Sequence, residues 1–372
     1  MTDAVHRHYE LYPYPHYPLP ASVRRCDGYA INLDALWARF NGELPPNGAR
    51  RILIAGCGSF SPYPFSCANP DAEIIALDLS ERSLARARLH CLLHGRRNVL
   101  FRQGDLLDKE TENGLFGLID AYGVLHHMSR PLTGLKTLAA QLADGGILRL
   151  MLYSRYARRD EESIRRALRL LKIEDPATVR RLIARAKPGS RLRRFADASS
   201  EAGFDAGLAD ALLHPRVTTY RIDDVMELVR KSGLKPLLFA HNNALDDVGE
   251  ELERIRRMEA DRQSPGNFIL YLGRNVRGPC RDGDDPLVLL NPCLTGSVGC
   301  LRLLPVRVAP RLGHANPVLG RTQRAFLRRF VRPVRWRSLS VKDMAAVTGY
   351  ITALFLIQYR PDSTRKALTL HG

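Results

Sequence analysis

Residues 51–58 read Arg-Ile-Leu-Ile-Ala-Gly-Cys-Gly, a short apolar run closed by two glycines one residue apart. This is the pattern of a buried strand that turns abruptly into a helix. Glycine at such a turn lets the backbone pass close beneath a ligand, because no Cβ blocks the approach and a positive φ carries little penalty. Several cofactor-binding α/β families share the feature, so the flanking residues have to discriminate. A dinucleotide fingerprint wants a third glycine three positions after the second, where this chain has Ser61. A Walker loop would end in Gly-Lys-Ser/Thr, whereas Ser59, Phe60, Ser61 and Pro62 follow here and offer no lysine to a phosphate.

The next apolar run, Glu73 to Leu77, ends at Asp78, twenty residues beyond Gly58, where a carboxylate accepts both hydroxyls of a ribose. A third strand around Val99 to Arg102 runs into Gln103-Gly104-Asp105-Leu106, which sets an acid for an adenine amino group beside an apolar neighbour for the ring. Two acids without a phosphate clamp point to adenosine lacking phosphates.

Strands and helices alternate through this region: strands at 52–55, 73–77, 98–102, 116–122 and 147–153, with helices at 81–94 and 132–142. Such βα alternation predicts an α/β fold with a parallel sheet covered on both faces. From Ser154 to Tyr220 no strand is expected. Two amphipathic helices are, one presenting Ile164, Leu168 and Leu171, the other Val179, Leu182, Ile183 and Ala186 behind Asp175 as cap and Pro176 at the first helical position. A helix at 223–232 and strands at 236–241 and 267–272 complete seven strands. Residues 1–31, rich in Tyr, Pro and His, favour extended or polyproline structure over helix. The expected organisation is a cap segment at 1–31, a cofactor-binding domain at 32–274 with a helical insertion or lid at 154–220, and a basic C-terminal module at 275–372.

The net charge is +17, with 56 Lys and Arg against 39 Asp and Glu, and the surplus is concentrated. Residues 155–194 hold fourteen basic and five acidic residues, and 275–372 hold sixteen and five. Such segments attract anionic partners, although stacking aromatics of the kind that bind bases are sparse in both. The seven cysteines, at 26, 57, 67, 91, 280, 293 and 300, show no zinc spacing and read as free cytosolic thiols. The first residues lack the apolar core of a signal peptide, so a cytoplasmic location is expected. Two uncharged runs, 286–301 and 344–359, are sixteen residues each, short of the twenty or so that span hydrocarbon. The second is expected to be buried against the main domain.

The chain resembles the class I S-adenosylmethionine-dependent methyltransferases. The resemblance rests on Ile54-Ala55-Gly56-Cys57-Gly58, Ala76-Leu77-Asp78-Leu79-Ser80, Gly104-Asp105-Leu106 and Gly123-Val124-Leu125-His126-His127-Met128. More narrowly it looks like a bacterial branch that opens with Tyr-Glu-x-x-Pro-Tyr-Pro, here residues 9–15, and carries Tyr-Ser-x-x-Ala-Arg, here 153–158. The resemblance covers residues 6–273 and departs at Phe60, where many relatives have a third small residue. It implies a Rossmann-like seven-stranded sheet in the order 3-2-1-4-5-7-6 with the seventh strand antiparallel. It also implies S-adenosyl-L-methionine held by Ala55, Gly56, Cys57, Gly58, Asp78, Leu79, Asp105, Leu106, Tyr122 and Gly123. His126, His127 and Tyr14 are the candidate catalytic groups, and Tyr9, Tyr12, Tyr153, Arg158 and His214 the candidate substrate contacts.

An imidazole after the fourth strand suits a general base, because it titrates near neutrality. Ala121-Tyr122-Gly123-Val124 stands where base-amino methyltransferases have Asn/Asp-Pro-Pro-Tyr/Phe, which disfavours that route. No metal cluster of the catechol-chelating kind is evident, so no metal is expected. The expected acceptor is a small molecule or a peptide or protein side chain. RNA is the alternative acceptor, and a non-catalytic methyltransferase-like scaffold the alternative role.

Overall fold

The computed structural model describes residues 3–108, 115–280, 282–299 and 304–361. Seven strands form one sheet in the order β3-β2-β1-β4-β5-β7-β6. They are β1 (Arg51–Ala55), β2 (Glu73–Asp78), β3 (Val99–Gln103), β4 (Phe116–Tyr122), β5 (Leu142–Leu152), β6 (Lys235–Phe239) and β7 (Phe268–Gly273). β1 to β5 run parallel to one another, and β7 runs antiparallel to both β5 and β6. Ile52, Leu53, Ile54 and Ala55 are buried on both faces of the sheet, as a central parallel strand requires. The order reverses between β1 and β4, so the crevice at the carboxyl ends of those two strands is the topological switch point where open α/β sheets bind ligands.

β5 begins five residues earlier than the sequence predicts. Its partner register jumps from Phe116↔Leu142 to Leu118↔Ile147, and Gly145, at φ +81°, accommodates the irregularity. The helix before it therefore covers Pro131–Gln141. The expectation that residues 1–31 avoid helix is corrected: Asp3–Leu11 is an α-helix and Arg25–Ile31 a 3-10 helix. The prolines begin only at Pro13, and the preceding residues hold neither Pro nor Gly, so a helix that buries Val5 and His8 costs the backbone little. Extended structure is confined to the middle of the segment.

The insertion contains both expected helices, Arg159–Leu170 and Pro176–Arg185, the second capped by Asp175. A third, Arg191–Ala198, escaped prediction because Leu192 and Phe195 are its only large apolar residues. A π-helical turn, Ala209–Leu213, follows, and these pieces share a small core of Ile164, Leu168, Val179, Phe195, Leu208 and Leu212.

The C-terminal residues form a second sheet, β10-β8-β9, from β8 (Leu287–Leu290), β9 (Val334–Arg335) and β10 (Leu356–Tyr359). Its residues pack into one cluster with the 3-10 segment at 25–31 and the helix Leu33–Asn41. Buried Asn291 joins the parts, donating to the carbonyls of Tyr29 and Leu354. The uncharged run at 344–359, expected to be buried, is so only in its second half: Ala353 to Ile357 are buried, whereas of residues 344–352 only Val347 is. Cys300 lies outside the described residues. No helix among the described residues is long and apolar enough to cross a membrane.

Candidate functional site

A cleft of about 1060 Å³ opens at the switch point. Its floor is the turn after β1. Gly56 and Gly58 adopt φ of +68° and +57°, a region a side chain enters at a cost of about 1–2 kcal/mol. A Cβ on Gly56 would lie 2.4 Å from the Val124 side chain, and one on Gly58 2.5 Å from the Tyr14 carbonyl oxygen. Val124 and the Tyr14 carbonyl can therefore pack directly on the turn only because both residues are glycine.

Asp78, at the end of β2, faces the turn. Its Oδ2 accepts from the Gly58 N–H at 2.7 Å and its Oδ1 from the Ser80 N–H at 2.9 Å. Each oxygen keeps a second lone pair, the acceptor capacity that two ribose hydroxyls require. Burial raises the Asp78 pKa, against which the backbone N–H groups pull it down. Cys57, Leu79, Tyr122 and Gly123 line the same cleft. Asp105, Leu106 and Ala55 do not. Leu106 is buried in the core, and Asp105 bonds its own turn by accepting from the Leu107 N–H. On the far wall Arg149 pairs with buried Asp120 behind it at 2.6 Å, and the guanidinium covers the Tyr122 ring at 4.6 Å.

The N-terminal cap closes over this floor. Ser59 donates its N–H to the Tyr14 carbonyl at 3.1 Å and its hydroxyl to the Pro15 carbonyl, while the Ser80 hydroxyl donates to the Tyr9 carbonyl at 3.2 Å. Tyr9 and Tyr14 line the cleft, and their hydroxyls reach into the insertion. Tyr9 donates to Asp210 at 3.1 Å and Tyr14 to Glu201 at 2.6 Å. Tyr12 lies off the cleft.

The two histidines after β4 separate in role. His127 lines the cleft, whereas His126 is wholly buried behind it, stacked on Tyr153 at 3.7 Å. His127 Nδ1 lies 2.8 Å from the Arg216 carbonyl oxygen, a contact that requires an Nδ1–H and leaves Nε2 with a lone pair. Burial lowers the His127 pKa to about 3, so the ring is neutral at pH 7. His214 stacks on His127 at 3.8 Å and takes the Arg216 N–H on its Nδ1, which leaves it behind the wall as a support. Tyr153 and Arg158 line the cleft, with the guanidinium 4.1 Å from the Tyr153 ring centre.

Sequence reasoning missed Glu201, Asp210 and His8. Asp210 is 3% exposed, and burial together with the Glu201 charge raises its pKa to about 7. One signal was available: Asp210 interrupts the apolar run Ala206-Gly207-Leu208-Ala209-Asp210-Ala211-Leu212-Leu213, where a lone acid is either buried with partners or misplaced. It lies in the π-helical turn, a form that recurs at functional sites.

A family model described as a methyltransferase domain matches residues 53–148. An uncharacterised protein of Synechococcus sp. is 30% identical over 328 residues, which cover 80% of this chain and 78% of that protein. The ubiquinone biosynthesis O-methyltransferase of Vibrio parahaemolyticus is 30% identical over 98 residues, 26% of this chain and 41% of that enzyme. Among solved structures, PKMT2 from Rickettsia typhi superposes with a TM-score of 0.55 at 15% identity, covering 93% of this chain and 77% of that one. Its complex with AdoHcy gives 0.54 at 14% identity. At this identity the likeness is one of fold.

Proposed function

The chain belongs to the same family as the Synechococcus protein and is a class I S-adenosylmethionine-dependent methyltransferase, and from that premise we propose that the cleft carries methyl transfer to a small-molecule or peptide or protein acceptor. The observation that carries the reading is the junction of Gly56, Gly58 and Asp78, which line one cleft at the switch point of the sheet with the Asp78 carboxylate bonded to the Gly58 N–H.

S-adenosylmethionine supplies a methyl group on a sulfonium, already activated toward a nucleophile. Gly56, Cys57 and Gly58 would pass beneath its methionine part, Asp78 would accept from the ribose hydroxyls, and Leu79, Tyr122 and Gly123 would enclose the rest. Asp105 and Leu106 keep a role at the adenine end only if their loop turns inward. The protein's own task is then to exclude water, aim the acceptor and take up a proton where one must leave. His127 is better placed for the last task than His126, since its Nε2 lone pair belongs to a ring that lines the cleft, but burial takes its pKa down to about 3 and makes it a weaker base than the near-neutral imidazole the sequence suggests. The cap supplies the roof through Tyr9 and Tyr14.

A second cavity, of about 610 Å³, favours an anionic acceptor such as RNA as the alternative reading, because Arg159, Arg165, Arg166, Arg169, Arg191 and Arg216 line it with Glu162 as the one acid. Retention of transfer RNA at physiological salt would support that version, and its loss would discard it. The primary reading is tested by calorimetric titration with S-adenosylhomocysteine, followed by a mass-spectrometric search for transfer of a labelled methyl group. Absence of any binding would overturn it.

A further inference from the structure

The second cavity shares no lining residue with the cleft. The helix Arg159–Leu170 presents Arg159, Glu162, Arg166 and Arg169 to it at three- and four-residue spacing, so that they share one face, and residues 215–217 line it as well. The acids of this region are already engaged: Asp160 by Arg191 and Arg194, Glu161 by Arg158, and Glu162 by the Thr219 hydroxyl. Among the described residues Arg159, Arg165, Arg166, Arg169 and Arg216 pair with no carboxylate.

Arg159, Arg166 and Arg169 are exposed and solvated. The other two are held away from water. Arg165 is 7% exposed and donates to the His214 carbonyl at 2.8 Å. Burial and the Arg169 charge lower its pKa to about 10, against which Tyr153, Asp210 and Glu162 pull without pairing with it. Arg216 Nη1 is buried and finds no hydrogen-bond partner among the described residues. A buried guanidinium nitrogen without an acceptor is costly, and both side chains line this one cavity.

We propose that the cavity binds the phosphoryl group of a small phosphorylated compound, seated among Arg165, Arg166, Arg169 and Arg216. A phosphomonoester brings close to two negative charges and three terminal oxygens at pH 7, whereas a carboxylate brings one charge and two oxygens. Planar guanidinium forks match pairs of those oxygens. At about 610 Å³ the cavity has the size of a small-molecule site, and no aromatic side chain lines it to stack a base. A compact phosphorylated ligand therefore fits it better than RNA does.

The position of the site gives it a role. The Arg216 carbonyl accepts from His127 Nδ1, and the Arg216 N–H donates to His214 Nδ1. A phosphoryl group that grips Arg165 and Arg216 braces this histidine wall from behind, without entering the cleft.

The test is calorimetric titration of the full chain with inorganic pyrophosphate at constant ionic strength, with and without saturating S-adenosylhomocysteine. One equivalent should bind whether or not S-adenosylhomocysteine is present, and at least tenfold more weakly in both Arg166→Ala and Arg216→Ala. Arg193→Ala removes an exposed charge from the same insertion but not from the cavity, and should bind like the native chain. Arg166 is exposed, so its variant remains informative even where Arg216→Ala fails to fold. No saturable binding, an equal loss in Arg193→Ala, or displacement of pyrophosphate by S-adenosylhomocysteine overturns the proposal. So does single-stranded RNA bound at physiological salt by a chain that ignores pyrophosphate. Pyrophosphate binding in a chain that gives no heat with S-adenosylhomocysteine upholds the site and overturns the donor assignment instead.

Discussion

Replacing Gly58 with alanine perturbs the turn and the cap together, and the two costs can be separated. At φ +57° an alanine pays about 1–2 kcal/mol of backbone strain, partly offset by about 0.4–1 kcal/mol from a stiffer unfolded chain. The added Cβ also lies 2.5 Å from the Tyr14 carbonyl oxygen, well inside the roughly 3.3 Å at which carbon and oxygen meet, so the cap must withdraw. Withdrawal loses the Ser59 N–H to Tyr14 bond, worth about 0.5–1.5 kcal/mol net. Gly95 is the control, with φ +67° and nothing within 4 Å of its Cβ position, so Gly95→Ala carries strain alone. In urea unfolding followed by the fluorescence of buried Trp37, Gly58→Ala should be less stable than Gly95→Ala by about 0.5–1.5 kcal/mol. If the two variants prove equally stable, the cap does not rest on this turn and the reasoning is refuted.

Other outcomes follow from the same geometry. His127→Gln should leave binding of S-adenosylhomocysteine nearly unchanged and lower the methylation rate at least tenfold, and an unaltered rate removes His127 from the mechanism. Deleting residues 1–20 should abolish activity, since Tyr9, Tyr14 and Pro15 roof the cleft, and full activity in the truncated chain would count decisively against that role. Glu251, buried beneath His241 and Arg254, supports the β6 edge. Burial raises its pKa, but hydrogen bonds from His241, Arg254 and the Leu245 N–H outweigh burial and bring it to about 2. A carboxyl depressed on folding contributes its stability in full above its unfolded pKa, near 4.5, and loses it as pH falls toward 2, a span worth roughly 3 kcal/mol. The stability gap between the native chain and Glu251→Gln should therefore narrow from pH 5 to pH 2, and a gap constant over that range contradicts the assignment.

The sheet was legible because its evidence is local. Ile52 to Ala55, Glu73 to Leu77 and Phe116 to Tyr122 are apolar runs of strand length, and the glycines and Asp78 sit at their carboxyl ends. The cap helix was not legible, because Tyr12 to Pro20 dominate the composition of the first thirty residues and mask the proline-free stretch before them. Glu201 and Asp210 were invisible as a pair, since they acquire meaning only when Tyr14 and Tyr9, 187 and 201 residues distant, are folded against them. The separate roles of His126 and His127 were equally hidden. One position along a 3-10 turn decides which ring faces the cleft, and the deciding acceptor, the Arg216 carbonyl, comes from the far side of the insertion. The C-terminal sheet gave no periodic signal because its strands are two to four residues long.

The central claim is that the crevice between β1 and β4 accepts an adenosyl sulfonium and not a dinucleotide. Titration of the full chain with S-adenosylhomocysteine and, separately, with NADH decides it. One equivalent of S-adenosylhomocysteine should bind, with affinity lost on Gly56→Val and no heat from NADH. Saturable NADH binding in the absence of any response to S-adenosylhomocysteine would contradict the account.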